Sequence, residues 1–389
     1  MVERKRIGLI YSMDKDWIGG TYYILNLISA LNTLEDSRKP TIVVICKSKD
    51  DFSYVNEYTH YPYLEYSNCQ IKKSSFIRRI NFLTTLLFNK SWLRYSSFPL
   101  KISALYPITC SEMQSRNYTS IAWIPDFQDK VLPHFFTKKD LVLRNLEVKK
   151  LISSNIPIVF SSKDAENDFY KYYPQKKKNQ TFVIHFSVSL PFQDKSNDKS
   201  ILNKYNISSP YFFCANQFWA HKNHITLFKS IKILKDKGIY IKILLSGNTN
   251  DYRNPNFFST LEKYIEENNL KENIDILGFI DRKEQLCLMR HSEAIIQPSL
   301  FEGWGTTVED AKSLNKYVIL SDISLHREQM TQNVSFFTPL DPNDLAQKIE
   351  NVLQNKPKLQ EYDYNTNIKN FGECFINIIE KVTKSIVNT

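Results

Sequence analysis

The sequence predicts an α/β protein built from two Rossmann-like, doubly wound units. Strand-like apolar runs alternate with helical periodicity along almost the whole chain, the pattern of parallel sheets covered by helices. The alternation breaks at residues 187–209, SVSLPFQDKSNDKSILNKYNISS, and then restarts from the beginning. A chain of 389 residues also exceeds one ordinary core and suits two domains of roughly 150–200 residues each.

In the first half, residues 6–11 read as a strand, followed by a Gly19-Gly20 loop and a helix to about Leu34. Residues 41–46, 121–124, 158–161 and 182–186 are further strands, with helices at 137–154 and 162–173. Ser162, followed by Asp164 and Glu166, marks a helix start: the hydroxyl accepts from first-turn amides and the carboxylates face the positive end of the dipole. Past the break, strands fall at 211–215, 239–245, 274–277, 294–297, 317–320 and 334–337. Helices fall at 222–236, 257–268, after Asp281, from Thr306, and at 342–354. Residues 367–386 carry Ile368, Phe371, Phe375, Ile378, Ile379 and Val382 at helical spacing, so this tail must pack on something. The expected organisation is a first domain at 1–188, a linker at 189–209, a second domain at 210–365, and a terminal helix at 366–389 crossing back to the first domain.

Apolar residues make up 42% and charged residues 24%, an ordinary globular composition. The net charge of +10 suits polyanions, but the lysines are dispersed and form no recognised nucleic-acid module. Six scattered cysteines (Cys46, Cys69, Cys110, Cys214, Cys287, Cys374) fit a reducing compartment, so a cytoplasmic location is expected. No stretch approaches the ~18 apolar residues of a membrane span, and the charged start MVERKRIGLIYS lacks a signal-peptide core.

The most informative segment is QPSLFEGWGTTVED at 297–310. Glu302 sits in a loop after a strand, Gly303 and Gly305 flank Trp304, Thr306 or Thr307 caps a helix, and Glu309 lies one turn in. Glycines let backbone amides approach a ligand, and a helix N-terminus adds unpaired donors and positive dipole. Two carboxylates around such a cradle suit hydroxyls, one on a sugar ring and one on a ribose. The competing reading is a Gly-rich turn whose glutamate stabilises the first helical turn. In CANQFWAHKNH, a lysine below a strand end is placed to neutralise a diphosphate.

The 302–309 segment resembles the Glu-x7-Glu signature of the retaining family-4 (group 1) glycosyltransferases of GT-B fold, and within them bacterial surface-polysaccharide enzymes (O-antigen or capsule). The resemblance implies transfer of a hexosyl group from a UDP- or GDP-linked sugar to a saccharide or lipid-linked saccharide, with retention and without a metal or other cofactor. It places Glu302 on the donor sugar, Glu309 on the ribose, and the amides of Gly303, Trp304, Gly305, Thr306 and Thr307 on the diphosphate, with Lys222 as their counter-charge. Many relatives carry an arginine where this chain has Gln217, which the resemblance still places among the donor-binding residues. Trp17-Ile18-Gly19-Gly20 resembles the family's N-terminal Gly-rich loop facing the donor phosphates, and Leu277-Gly278-Phe279-Ile280 the segment that reads the base. Trp123-Ile124-Pro125-Asp126-Phe127-Gln128-Asp129 resembles a further family segment. It makes Asp126 the polar group nearest the reaction, although the histidine of many relatives is missing. The competing role for Asp126 is a turn cap before helix 137–154. Asp14-Lys15-Asp16 reads as a coincidental surface loop, and His221 with His224 lacks a third metal ligand. His326 and Arg327 in SDISLHRE carry no assigned role. Three of five tryptophans (Trp17, Trp219, Trp304) and four of nine glycines (Gly19, Gly20, Gly303, Gly305) fall beside these loops, which suggests one ligand cleft between the two domains.

Residues 72–95, KKSSFIRRINFLTTLLFNKSWLRY, mix basic and apolar side chains. They fit an interfacial helix touching anionic lipid on the inner face of the plasma membrane, or a helix buried on the first sheet. Apolar residues spread round most of the helix favour burial. Two other functions share these residues: a sugar-nucleotide epimerase of the same fold, and a non-catalytic membrane-surface subunit with a degenerate site.

Overall fold

The computed structural model describes residues 4–13, 18–68, 74–88, 91–94, 100–174, 179–190, 195–207, 210–251 and 253–387, the side chains of 18 and 384–387 excepted. Trp17, the Asp14-Lys15-Asp16 triplet, Cys69, and Lys72, Lys73, Asn89, Lys90 and Tyr95 of the basic apolar stretch lie outside them. The chain divides into two compact units, Met1–Pro191 with Asn365–Thr389, and Phe192–Tyr364.

The first unit holds strands β1 (Arg6–Ile10), β2 (Thr41–Ile45), β3 (Leu64–Ser67), β4 (Ala104–Ile108), β5 (Thr119–Ile124), β6 (Ile158–Phe160) and β7 (Thr181–Val183). They form one sheet in the order β3-β2-β1-β4-β5-β6-β7, every pair parallel. Its helices are α1 (Ile18–Asn32), α2 (Lys49–Thr59), α3 (Ser75–Phe88), α4 (Gln128–Val131), α5 (Lys138–Ser153) and α6 (Lys163–Tyr172). Local signals set several starts: Ser48 accepts from Asp51 N, Thr137 and Asp140 form a capping box, and Ser162 accepts from Ala165 N. Gly19 and Gly20 fall within the first turn of α1 rather than in a loop.

The sequence gives no clear sign of β4, although β4 lies beside β1. Pro107 argues against a central strand because it cannot donate to a ladder. The ladder from β4 to β5 shifts register between Leu105 and Ile108, which accommodates the proline. Full burial of all five β4 residues then decides the matter.

The second unit holds β8 (Phe212–Ala215), β9 (Ile243–Ser246), β10 (Ile274–Gly278), β11 (Ile295–Gln297), β12 (Val318–Ser321) and β13 (Val334–Phe337). Their order is β10-β9-β8-β11-β12-β13, again all parallel. Helices α7 (Asp198–Lys204), α8 (His224–Asp236), α9 (Phe257–Glu267), α10 (Arg282–His291), α11 (Thr306–Ser313), α12 (Ser324–Gln329) and α13 (Pro342–Asn355) surround it. Phe212, Phe218, Phe228, Leu245 and Phe337 anchor its apolar core. The expected doubly wound pattern is thus present in both units.

Two expectations change. The stretch read as linker contains α7, which docks on α10: Asp198 accepts from Arg290 at 2.6 and 2.9 Å and lies 2.9 Å from His291 Nε2. Polar composition hid this helix because its partner is an ion pair rather than a core. The α3 stripe is not buried on the sheet either. Its polar Asn81, Thr84 and Thr85 face inward, while Phe76, Leu83, Leu86 and Leu87 are exposed.

The last helix, α14 (Tyr364–Val387), leaves the second unit at its first residue and belongs to the first unit thereafter. Phe371, Phe375 and Ile379 are each 1% exposed. Phe371 lies 5.9 Å from Tyr23, and Phe375 lies 5.3 Å from Tyr106. Gly372 allows this approach, since a Cβ there would sit 2.6 Å from the carbonyl oxygen of Ala30. Gly372→Ala should therefore force α14 off α1 and destabilise the first unit by about 1–3 kcal/mol, read as a lower thermal midpoint. An unchanged midpoint would refute the close packing.

Candidate functional site

In an open parallel sheet the ligand crevice lies outside the carboxyl ends of the strands, where the strand order reverses. In the second unit that point lies between β8 and β11. The loops leaving these strands carry the QFWAHKNH and PSLFEGWG segments, which the fold brings together from about eighty residues apart.

Several bonds join the two loops. Asn216 and Gln297 exchange reciprocal carboxamide bonds of 3.0 and 2.9 Å. Leu300 N donates to His221 O at 2.8 Å, and Asn223 Nδ2 to Pro298 O at 3.1 Å. Thr307 Oγ1 donates to Ala215 O at 2.8 Å, so this hydroxyl ties α11 to the end of β8 and does not cap α11. Gly305 is the N-cap, with no side-chain cap bond.

Lys222 lies in a short turn, Ala220–Lys222, just before α8. Its Nζ donates to Glu302 Oε1 at 2.6 Å, and Gln297 Nε2 donates to the same oxygen at 2.9 Å. The Glu302 side chain is 9% exposed and that of Lys222 14%. Burial pushes the Glu302 carboxyl up, but Lys222 outweighs it and holds the group near 2 instead of 4.5.

Glu309 is 1% exposed and accepts three bonds. Lys312 Nζ and Gln329 Nε2 reach Oε1 at 2.8 and 3.0 Å, and Tyr364 OH reaches Oε2 at 2.6 Å. Gln329 also accepts from Gly305 N at 3.1 Å and donates to Gly305 O at 2.8 Å. The Gly305 amide, expected on a phosphate, is therefore already used by Gln329. Thr306 and Thr307 occupy the first two helical positions, where an α-helix supplies no intrahelical partner for N–H. Gly303 and Trp304 are half-buried in the loop, and Lys312 Nζ lies 5.9 Å from the Trp304 ring.

Gln217, expected at the donor, already uses its Oε1 to accept from Asn248 N at 3.0 Å. Gly247 lies beneath this loop with φ +152, where a Cβ would sit 2.0 Å from Asn216 O. Phe279, after Gly278 at the end of β10, is 63% exposed. His221 and His224 are both buried and both held below the ordinary imidazole range, first by burial and then by Lys222; His224 falls to about 3. His224 stacks on Phe218 at 4.4 Å and is a core residue. Among the described residues, Asp198, Cys287 and His291 form a group with ligand-type atoms within 4.8 Å, but Arg290 already holds both Asp198 oxygens.

Asp126 lies in the first unit, after β5, where its Oδ1 accepts from Gln128 N at 3.0 Å. It thus caps the turn into α4, not the helix at 138–153. Gly19 and Gly20 also belong to that unit, at the start of α1.

Sequence reasoning missed Gln297, Gln329, Tyr364 and Arg253. Arg253, from the loop after β9, stacks over Trp219 at 4.8 Å, and its Nη2 lies 3.4 Å from His221 Nδ1. Asp251 accepts from its Nε at 3.2 Å. No local spacing marks these residues, because each is brought in by a different loop. Gln329 had the nearest signal, one residue beyond SDISLHRE.

Residues 197–369 match the family model of the group 1 glycosyl transferases. That match takes in nearly all of the second unit and the start of α14. The chain is 28% identical over 144 residues to the O-antigen chain mannosyltransferase RfbU of Salmonella typhimurium. That match covers 37% of the chain and 38% of the relative's length. A glycosyltransferase structure from Rickettsia africae superposes with a TM-score of 0.65 at 16% identity, over 99% of both chains. Anabaena HepE in complex with UDP gives 0.62 at 15% identity, over 99% of this chain and 100% of that one. The lipopolysaccharide outer core galactosyltransferase WaaB gives 0.58 at 15%, over 97% and 99%. These structures share the GT-B type of fold with this chain.

The Lys222–Glu302 pair yields a pH signature. Glu302's depressed pKa stabilises the folded state fully above about pH 4.5, and this contribution is lost as pH falls towards 2. In Lys222→Met, burial acts on Glu302 without its counter-charge and raises the pKa. The variant should lose about 3–5 kcal/mol near neutral pH and regain stability on acidification, the opposite sign. Pairing it with Glu302→Gln should restore most of the loss. Denaturant titration across pH reads both effects, and no loss at neutral pH would refute the buried pair.

Proposed function

We propose that this chain is a glycosyltransferase that moves a hexosyl group from a nucleoside diphosphate sugar to a saccharide or lipid-linked saccharide, with retention of anomeric configuration, in bacterial surface-polysaccharide synthesis. The observation that carries the reading is the buried Lys222–Glu302 pair, fixed by Gln297 where the strand order reverses. Glu302 is a fixed acceptor suited to sugar hydroxyls, and Lys222 beside it is a cation suited to the leaving diphosphate. The first-turn amides of Thr306 and Thr307 add donors with positive dipole. Arg253 is the second cation in this reading, standing in for the arginine absent at Gln217. Charge that develops on the leaving group meets these preplaced donors, so the reaction proceeds without a metal. The HepE structures, one with UDP and glucose and another with UDP-glucose, support this donor class, and the RfbU likeness supports the O-antigen setting.

Glu309 takes the ribose in this reading. Its Oε1 is filled by Lys312 and Gln329, so a ribose hydroxyl exchanges with Tyr364 on Oε2. Glu309→Gln should weaken nucleotide binding at least about tenfold, while Tyr364→Phe should retain or strengthen it. Calorimetry with UDP and GDP checks both. Equal nucleotide affinity in Glu309→Gln and the wild type would leave Glu309 a purely structural anchor.

Thermal shift with UDP-glucose, UDP-galactose and GDP-mannose should identify the base. Arg253→Ala should raise the KM for that donor about tenfold or more, and turnover should survive EDTA. Asp126→Asn should lower turnover with nucleotide affinity unchanged. Isomerised sugar nucleotide from donor alone would favour the epimerase instead. No nucleotide binding at all would sink the enzymatic reading.

A further inference from the structure

Helix α3 is inside out. Its inward face is polar: Asn81 is 0% exposed, Thr84 6% and Thr85 0%. Its outward face carries Phe76 at 67%, Leu83 at 55%, Leu86 at 57% and Leu87 at 69%. Phe76, Leu83 and Leu87 follow an i, i+7, i+11 line along one side of the helix, with Leu86 beside it. Solubility alone would select the reverse arrangement.

A buried network holds the inversion in place. Asn81 Nδ2 donates to Leu93 O at 2.8 Å and to Glu112 Oε1 at 3.2 Å. Asn81 Oδ1 accepts from Trp92 N at 3.1 Å and Leu93 N at 2.9 Å. Lys150, 6% exposed, closes the network on Glu112 at 3.2 Å. The segment 91–94 is thereby pinned under α3, and Trp92 is turned outward, 59% exposed and stacked on Phe88 at 5.3 Å. Rotating α3 to bury its leucines would break the four Asn81 bonds and take one partner from the buried Glu112 carboxylate and from the backbone of 92 and 93.

We infer that α3 with Trp92 is a docking surface for an anionic lipid bilayer, on which the helix lies flat. Its 14 residues are about 21 Å long, and no described helix of the chain is long and apolar enough to cross a membrane. Exposed Arg78, Arg79 and Arg94 accompany the apolar face, and residues 75–88 contain no carboxylate. Anionic headgroups complement that pattern. A second copy of α3 placed against it would bring arginine to arginine with no acid to answer.

The test is flotation of the full chain with phosphatidylcholine vesicles, with and without phosphatidylglycerol. The protein should float with the anionic vesicles at low salt, and added salt should weaken the partition. Leu83→Glu with Leu87→Glu should reduce it by about tenfold or more, with circular dichroism unchanged because both side chains are already exposed. Arg78→Gln with Arg79→Gln should abolish the preference for anionic vesicles while nucleotide binding by the second unit stays intact. Absence of flotation with either vesicle, or equal flotation of the leucine variant, would overturn the inference. So would concentration-dependent dimerisation that Leu83→Glu relieves, because the face would then serve a second copy. Nucleotide binding is read separately, so failure here leaves the donor reading untouched.

Discussion

The second unit depends on a charge pair that water cannot screen. Glu302 and Lys222 meet at 2.6 Å, each largely removed from solvent, and neither could remain charged there alone. Their meeting requires β8 and β11 to be neighbours, because the two residues lie on loops leaving those strands. Gln297 links the two parts. Its carboxamide bonds to Asn216 across the sheet and to Glu302 at the end of its own loop. The strand pairing, the loop path and the charge pair therefore stand or fall together.

The rest of the candidate site is arranged around that pair. Gln329 grips both backbone polar atoms of Gly305 and one oxygen of Glu309, fixing the start of α11 from a separate helix. Tyr364 closes the other Glu309 oxygen from the first residue of α14. A loop rich in glycine is thus held by side chains instead of by its own backbone preferences.

The first unit uses the same physical rule for another end. Lys150, Glu112 and Asn81 satisfy one another in the interior, and α3 is left with its leucines outside. In both units a buried polar network outranks hydrophobic preference locally, because an unpaired buried charge is worse than an exposed leucine.

The sequence by itself determined the doubly wound class, most helix positions, the amphipathic tail and the loop between Glu302 and Glu309. These rest on periodicity, caps and short spacing, which are local properties. Ser162, Asp281 and the Phe371–Phe375 stripe were legible for that reason. Tertiary structure decided what depends on partners far along the chain. It made a strand of the proline-containing Ala104–Ile108, a docked helix of polar Asp198–Lys204, and a turn cap of Asp126. It turned α3 over, gave the Gly305 amide to Gln329, and brought Arg253 beside His221. None of these follows from spacing, because buried hydrogen bonds and ion pairs are satisfied in space and not along the sequence.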